Sequence, residues 1–316
     1  MKRFASILLL LITLGASAQE KDKPAFQTYQ ISDDMTYTYP RPKLFNFLTG
    51  IPKNYANLGK EAVKKENLKW WGLTALTTGM LYAADEELLD YAENLQDYGL
   101  EKDHDQDVFI GMFTYPRNNS AYLYYLGHGN TSLLIGLGFL STGALKKDYR
   151  AIHTSSEIVE GILTLGVLTQ GLKRVFGRES PYVRTQPRGR WDLFPNLKTY
   201  AENTPHYDAM PSGHVATLTS TVTIIAKNYP EVKWIRPVGY TMIGVLSIEM
   251  MNSGVHYASD YPLGILIGYS VGSIVANSKI KKEKTEKFSD TKTSFHPQFY
   301  MTRSYGDNLV GVVFSF

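Results

Sequence analysis

Three stretches of this chain hold residue types whose spacing can do chemistry. In MMNSGVHYASDYPLG, which runs from Met250 to Gly264, His256 precedes Asp260 by one helical turn, so the two side chains can meet. A carboxylate on one ring nitrogen fixes the tautomer and leaves the other nitrogen available as a nucleophile. In AMPSGHVATLTS, Ser212 is a good N-cap residue, Gly213 permits close backbone approach, and His214 stands on the first turn of the helix that follows. The free amides and partial positive charge of such a turn make an anion site, where a histidine can protonate a leaving oxygen. In LKRVFGRESP, Lys173 and Arg178 can neutralise phosphate oxygens. Taken singly, each stretch also has a plain structural reading: a helix-capping His–Asp pair, a capped helix with a surface histidine, a solvated basic helix end.

The elements that must carry these residues are mostly helical. Residues 19–55 are polar, contain Pro40, Pro42 and Pro52, and read as an extended arm. From about 56 to 279 helical periodicity dominates. Ile158, Ile162, Leu165, Leu172 and Phe176 recur at helical spacing, with Thr169 filling the remaining place on that face. A loop from Gly177 to Met210 follows. Helices are expected over His214–Asn228, stopped by Pro230, over Val238–Met250, and over Ser259–Ala276 with Pro262 in its first turn. Gly264, Gly268 and Gly272 line one face of the last, a pattern that ordinary tight helix packing explains. The charged run KIKKEKTEK reads as a solvated linker. The last residues, about Phe295–Thr302 and Leu309–Phe316, read as a β-hairpin turning at Gly306-Asp307-Asn308. They are too few strands for a membrane barrel.

Composition narrows the class. The chain has 316 residues, 43% hydrophobic and 20% charged, as a protein with a sizeable core should. A net charge of +3 and the absence of any nucleic-acid motif argue against DNA or RNA as a partner. Residues 1–18, with Lys2 and Arg3 ahead of an apolar run and small residues at Ala16 and Ala18, read as a signal peptide. The expected location is therefore exported, periplasmic or envelope-associated. With no cysteine, the fold must hold by packing alone. The uncharged stretches Ser120–Leu145 and Tyr261–Ser278 read as buried core helices of a soluble or peripheral body, with an integral membrane bundle as the alternative: the first holds His128 and Asn130, and the second is barely long enough to span a bilayer.

In combination the three stretches say more. Lys173 and Arg178 ahead of Pro181, then Pro211-Ser212-Gly213-His214, then Gly254-Val255-His256 with Asp260, in this order, resemble the type 2 phosphatidic acid phosphatase superfamily. That superfamily includes bacterial acid phosphatases and vanadium haloperoxidases, and the resemblance covers about residues 155–278. It implies an all-α helical bundle of that type, to which the C-terminal hairpin would be added. The phosphatase domain would span 56–279, with linker and hairpin over 280–316. It also implies that His256 attacks phosphorus, that Asp260 orients His256, and that His214 is the general acid and then the base for water. Lys173, Ser212 and the Gly213 amide would bind the phosphoryl oxygens. No metal or other cofactor is implied. The substrate would be a phosphorylated small molecule or lipid, at a membrane surface; the oligomeric state is not implied.

The chain departs from that pattern twice. Ser180 stands where the family has an arginine before Pro181, and Met250 where it has one six residues before His256. Losing one such donor can cost about 2.7–4 kcal/mol of transition-state stabilisation, by analogy with oxyanion-hole donors. Arg178 is the nearest replacement, with Arg184, Arg188 and Arg190 in the following loop. The leading expectation is a metal-independent phosphatase acting on monoesters or diphosphates. The competing ones are a non-catalytic envelope protein that retains the fold and, further off, a vanadium-dependent haloperoxidase.

Overall fold

A face of apolar residues at helical spacing and a strong cap at each end make α5 (Tyr149–Phe176) the longest helix described. Asp148 caps its start by accepting from the Ala151 amide, and Gly177, in the left-handed region at φ 55°, ends it. Ile158, Leu165 and Thr169 are buried along the expected face, with Ile162, Leu172 and Phe176 packed at its edge.

In the computed structural model, residues 24–103, 106–110, 113–284, 296–304 and 307–315 are described. Apart from a single turn at Asn46–Thr49, the helices preceding α5 are α1 (Ile51–Ala62), α2 (Leu68–Glu93), α3 (Asn119–Tyr125) and α4 (Gly129–Lys146). After it come α6 (Leu197–Glu202), α7 (Gly213–Asn228), α8 (Ile235–Asn252) and α9 (Tyr261–Asn277). The architecture is mainly helical, as expected. Helix α7 lies at its centre. Ala216 and Ile224 face Ile158 and Leu165 of α5 and Ile267, Val271 and Val275 of α9. Val215, Leu218 and Val222 face Ile243, Leu246 and Met250 of α8.

The three α9 glycines set the α7–α9 distance. A Cβ at Gly264, Gly268 or Gly272 would lie 2.8, 2.4 or 2.7 Å from the carbonyl oxygens of Ser212, Ala216 and Ser220. No side chain fits between these backbones. Close packing was the expected reading of this stripe; its consequence is that the first turns of α7 and α9, which carry the candidate residues, are held together.

Several expectations need correction. The 19–55 segment is not merely an extended arm. Strands β1 (Phe26–Ser32) and β2 (Met35–Pro40) form an antiparallel hairpin, and α1 begins at Ile51. Period-two alternation drives this: Tyr37 and Tyr39 point to one face and are buried against Tyr149 and Ile280. The 280–316 linker is partly a strand as well. β5 (Lys281–Lys284) pairs with β2, its side chains all exposed. A charge run describes side chains, whereas an edge strand needs only its backbone and tolerates lysines well. A further hairpin, β3 (Gln106–Ile110) with β4 (Phe113–Pro116), had no sequence expectation.

The C-terminal hairpin is present as β6 (His296–Ser304) and β7 (Asp307–Ser315), but its turn is displaced. Ser304 pairs with Asp307 and Arg303 with Asn308, so Asp307 and Asn308 belong to a strand, not to the turn. Turn-forming residue types located the reversal only approximately, and register decided it. The expected signal peptide, Phe295, Gly306 and Phe316 lie outside the described residues.

Candidate active site

Helix α7 starts where Ser212 caps it, its Oγ accepting from the Val215 amide at 3.4 Å. The first-turn amide of Gly213 is not needed by the helix ladder, so an anion can use it. A Cβ on Gly213 would meet only Lys173 Cε, at 4.0 Å, so this side of the turn is open towards the lysine. Lys173 comes from the last turn of α5, is 8% exposed, and holds its Nζ 3.5 Å from Asp208 Oδ2. Thus Lys173 lies beside the turn that Ser212 and Gly213 form, and the three bound one candidate anion position.

The histidines face this space from two elements. The His214 and His256 rings are 6.5 Å apart by their centroids, at 65°. One small tetrahedral group can touch both. His256 is nearly sealed, at 2% exposure, with its amide bonded to the Met250 carbonyl at 3.1 Å. Its Nδ1 lies 3.6 Å from Asp260 Oδ2, slightly beyond hydrogen-bond length. The other nitrogen, Nε2, is the one left for a reacting partner. Asp260 is fully buried and accepts from the Tyr257 amide at 2.8 Å and from Arg178 Nη1 at 2.6 Å. Burial alone would raise its carboxyl. The Arg178 guanidinium, His256 and the Tyr257 amide outweigh burial and hold Asp260 below the usual carboxylate range.

The structure therefore brings Lys173, Ser212, Gly213, His214, His256 and Asp260 together. It does not leave Arg178 available as a phosphate ligand, and that expectation is corrected. A guanidinium has five N–H donors, and protein acceptors take all of Arg178's: Nε and Nη2 bond the Arg188 carbonyl, Nη2 also Asp85, and Nη1 Ser259 Oγ and Asp260. Its side chain is wholly buried, with the Tyr257 ring 4.0 Å away. Arg178 acts on the carboxylate behind His256, not on an anion in front of it.

The other loop arginines are engaged elsewhere. Arg184 reaches Glu86 at 3.6 Å, Arg188 donates to the Ala83 carbonyl, and Arg190 lies 3.8 Å from Glu179. The two departures from the motif have distinct surroundings. Ser180 is buried with Oγ 3.4 Å from Asp208 Oδ1. Met250 is fully buried in a mostly apolar cluster with Val215, Leu246 and Tyr261.

Sequence reasoning missed several residues here. Asp85 on α2, Ser259 and Asp208 surround the ion pairs, yet nothing in DEELLD marks Asp85 as other than a helix-surface acid. The Tyr124 ring lies 4.5 Å from that of His214, tilted by 56°, and His128 lies 6.1 Å from the same ring. Gly127 permits this approach: a Cβ there would fall 2.7 Å from His214 Cβ. Burial first, then Asp208, pushes the Tyr124 phenol up to about 12, so it remains protonated at neutral pH. Burial lowers His128, whose Nδ1 accepts from the Asn130 amide and caps α4. The interruption of the uncharged 120–145 stretch by His128 was the available signal. Two surface clefts, around Ala226 with Lys233 and Arg236 or with Lys227 and Tyr240, lie at the other end of α7 and contain none of these residues.

Two solved structures resemble the chain. One is LpxE of Aquifex aeolicus, with 21% identity, TM-score 0.36, and coverage of 50% of this chain and 83% of that one. The other is a transmembrane PAP2-type phosphatidylglycerolphosphate phosphatase of Bacillus subtilis, with 15% identity, TM-score 0.41, and coverage of 68% and 96%. No curated protein is significantly similar in sequence. The family model of the PAP2 superfamily matches residues 156–284, the segment from α5 to β5 that holds every candidate residue named from the sequence. Over that segment, less than half of its length, the chain is similar to the PAP2 superfamily.

Proposed function

We propose that the chain is an exported phosphatase that hydrolyses phosphate monoesters or diphosphates of a lipid through a phosphohistidine on His256. In the first step His256 Nε2 attacks phosphorus, the P–O bond to the leaving group breaks, and His214 gives that oxygen a proton. In the second, His214 takes a proton from water, the water oxygen attacks phosphorus, and the P–N bond breaks to release inorganic phosphate. Lys173, the Gly213 amide and Ser212 hold the phosphoryl oxygens. Asp260 supports the positive charge that develops on His256. The observation that carries this reading is the pairing of His214 and His256 across 6.5 Å, with Lys173 and the start of α7 beside them and Asp260 behind.

The choice of a lipid rests on a second feature. Residues 70–84 of α2 carry no charge, yet Trp70, Trp71, Leu73, Leu76 and Met80 are exposed. Lys60, Lys64, Lys65 and Lys69, all exposed, cluster at the start of this rod, with Lys69 Nζ 5.4 Å from the Trp70 ring. Aromatics with basic neighbours suit the headgroup region of an anionic membrane. Among the described residues no helix is long and apolar enough to cross a membrane; the role proposed for α2 is to lie on one.

The test is hydrolysis of p-nitrophenyl phosphate and of a polyprenyl diphosphate by purified wild type and His256→Ala. Wild type should release phosphate and form an acid-labile phosphoenzyme, and the variant should do neither. Equal rates would remove the catalytic reading and leave a protein that keeps the fold without the chemistry.

A further inference from the structure

Asp85 belongs to α2, outside the segment that matches the family, yet it enters the centre of the candidate site. Its Oδ2 accepts from Arg178 Nη2 at 2.7 Å and from Ser259 Oγ at 2.6 Å, and its Oδ1 from the Ser259 amide at 3.0 Å. Arg178 Nη1 also bonds Ser259 Oγ, at 2.7 Å, and Asp260, at 2.6 Å. Asp260 in turn stands behind His256. The side chains of Asp85, Arg178 and Asp260 are all at 0% exposure.

Burying three charges is seldom the most stabilising choice, since well-packed apolar residues often do as well. What such a cluster supplies is direction. Arg178 has no free donor left to rotate towards, so it holds the Asp260 carboxylate in one orientation. Ser259, pinned through both its amide and its hydroxyl, fixes the turn on which Asp260 sits. Two carboxylates around one guanidinium also leave one net negative charge behind the His256 ring, which favours positive charge on that ring as it attacks phosphorus.

We propose that Asp85 and Arg178 are positioning residues for His256, acting through Ser259 and Asp260, so that α2 completes a site otherwise built from α5, α7 and the start of α9. This rests on the phosphatase reading, in which His256 is the nucleophile. Asp85 fixes Arg178, Arg178 fixes Asp260, and Asp260 selects the His256 tautomer with its proton on Nδ1 and Nε2 open.

The experiment compares Asp85→Asn, Ser259→Ala and Arg178→Lys with wild type in the full chain. It reads kcat and KM on p-nitrophenyl phosphate, the melting temperature, and the His256 tautomer from ring 15N shifts. Asp85→Asn should lower kcat about tenfold or more with KM little changed, as loss of an orienting partner does. It should also convert a single Nδ1–H tautomer into a mixture. Ser259→Ala, which keeps the fold's volume and charges, should do the same to a smaller degree and carries the test if Asp85→Asn does not fold. A lowered melting temperature with unchanged kcat and an unchanged tautomer in both would overturn the proposal. If wild type is no more active than His256→Ala, the phosphatase reading fails, and the 15N shifts still decide whether Asp85 orients His256.

Discussion

The Ser212 amide donates to the Asp260 carbonyl at 3.2 Å. This backbone bond ties the start of α7, with the candidate anion-binding turn and His214, to the start of α9, with the carboxylate that faces His256. The two halves of the candidate site are more than 40 residues apart in sequence, and their relative position depends on how closely two helices approach.

The first prediction concerns that approach. A Cβ at Gly264 would lie 2.8 Å from the Ser212 carbonyl, and one at Gly268 2.4 Å from that of Ala216. Both contacts are with backbone, which cannot step aside. Gly264→Ala and Gly268→Ala should each destabilise by about 1–3 kcal/mol, the usual cost of overpacking. Gly264→Ala should in addition lower kcat, because it moves Ser212 against Asp260. Gly166, with nothing near its missing Cβ, is the control, and Gly166→Ala in mid-helix should be neutral or stabilising. Urea unfolding of the three variants checks this; wild-type stability in Gly264→Ala would show that the helices can separate freely.

Why the sequence revealed some of this and not the rest follows from range. His256 and Asp260 are one turn apart, and Ser212, Gly213 and His214 are consecutive, so their joint chemistry is legible locally. The long helices were legible through the spacing of residues such as Ile158 and Leu165. Arg178 was misassigned because a charge near a motif says nothing about which way it points. Its direction depends on Asp85, 93 residues earlier. Strand β5 was hidden for a related reason: pairing between Lys281 and Thr38 is a backbone event between distant segments. Long-range pairing leaves no periodic trace in either partner.

The second prediction separates the two histidines and the lysine. His256→Ala should abolish turnover of every substrate. His214→Ala should slow a poor alkoxide leaving group by about 10²–10⁴, the range of general acid catalysis, and slow p-nitrophenolate departure much less. Lys173→Met should lower kcat/KM by about 10²–10³ irrespective of the leaving group. A plot of rate against leaving-group pKa tests all three. An equal slope for wild type and His214→Ala would exclude His214 as the acid.

Acid stability gives the third. Glu179 is buried beneath the loop that follows α5. Burial would raise its carboxyl, but the Arg190 and Thr185 amides, His206 and the Thr185 hydroxyl bring it down to about 2 from its ordinary 4.5. A carboxylate depressed in the folded state contributes stability that is fully present above its unfolded value and is lost as pH falls through the folded one. Wild type should therefore lose stability between about pH 4.5 and about 2. Glu179→Gln should be less stable at pH 7 and show a flatter profile across that window. Denaturant midpoints measured from pH 7 to pH 2 decide; parallel curves would mean that Glu179 contributes nothing.

The fourth prediction takes α2 at its exposed end. A rod with Trp70 and Trp71 uncovered and basic residues at its start should bind anionic vesicles and leave neutral ones alone. Phosphatidylglycerol vesicles should shift tryptophan emission to the blue, and phosphatidylcholine vesicles should not. In a Trp234→Phe background, which removes the other exposed tryptophan, replacing both Trp70 and Trp71 by Phe should remove most of the shift, since Trp191 packs beside Arg178 within the protein. The triple replacement of Lys64, Lys65 and Lys69 by Gln should weaken binding by about 1 kcal/mol per lysine, a loss that high salt should reproduce in wild type. Concentration-dependent self-association that needs Trp70 and Trp71 and ignores lipid would assign the same face to a second copy of the chain instead. Because α2 also carries Asp85, vesicles that bind the rod should leave the melting temperature of Asp85→Asn below that of wild type by the same margin as in solution. Trp70 and Trp71 precede the buried carboxylate by about four turns of one helix, and each can then be removed without the other.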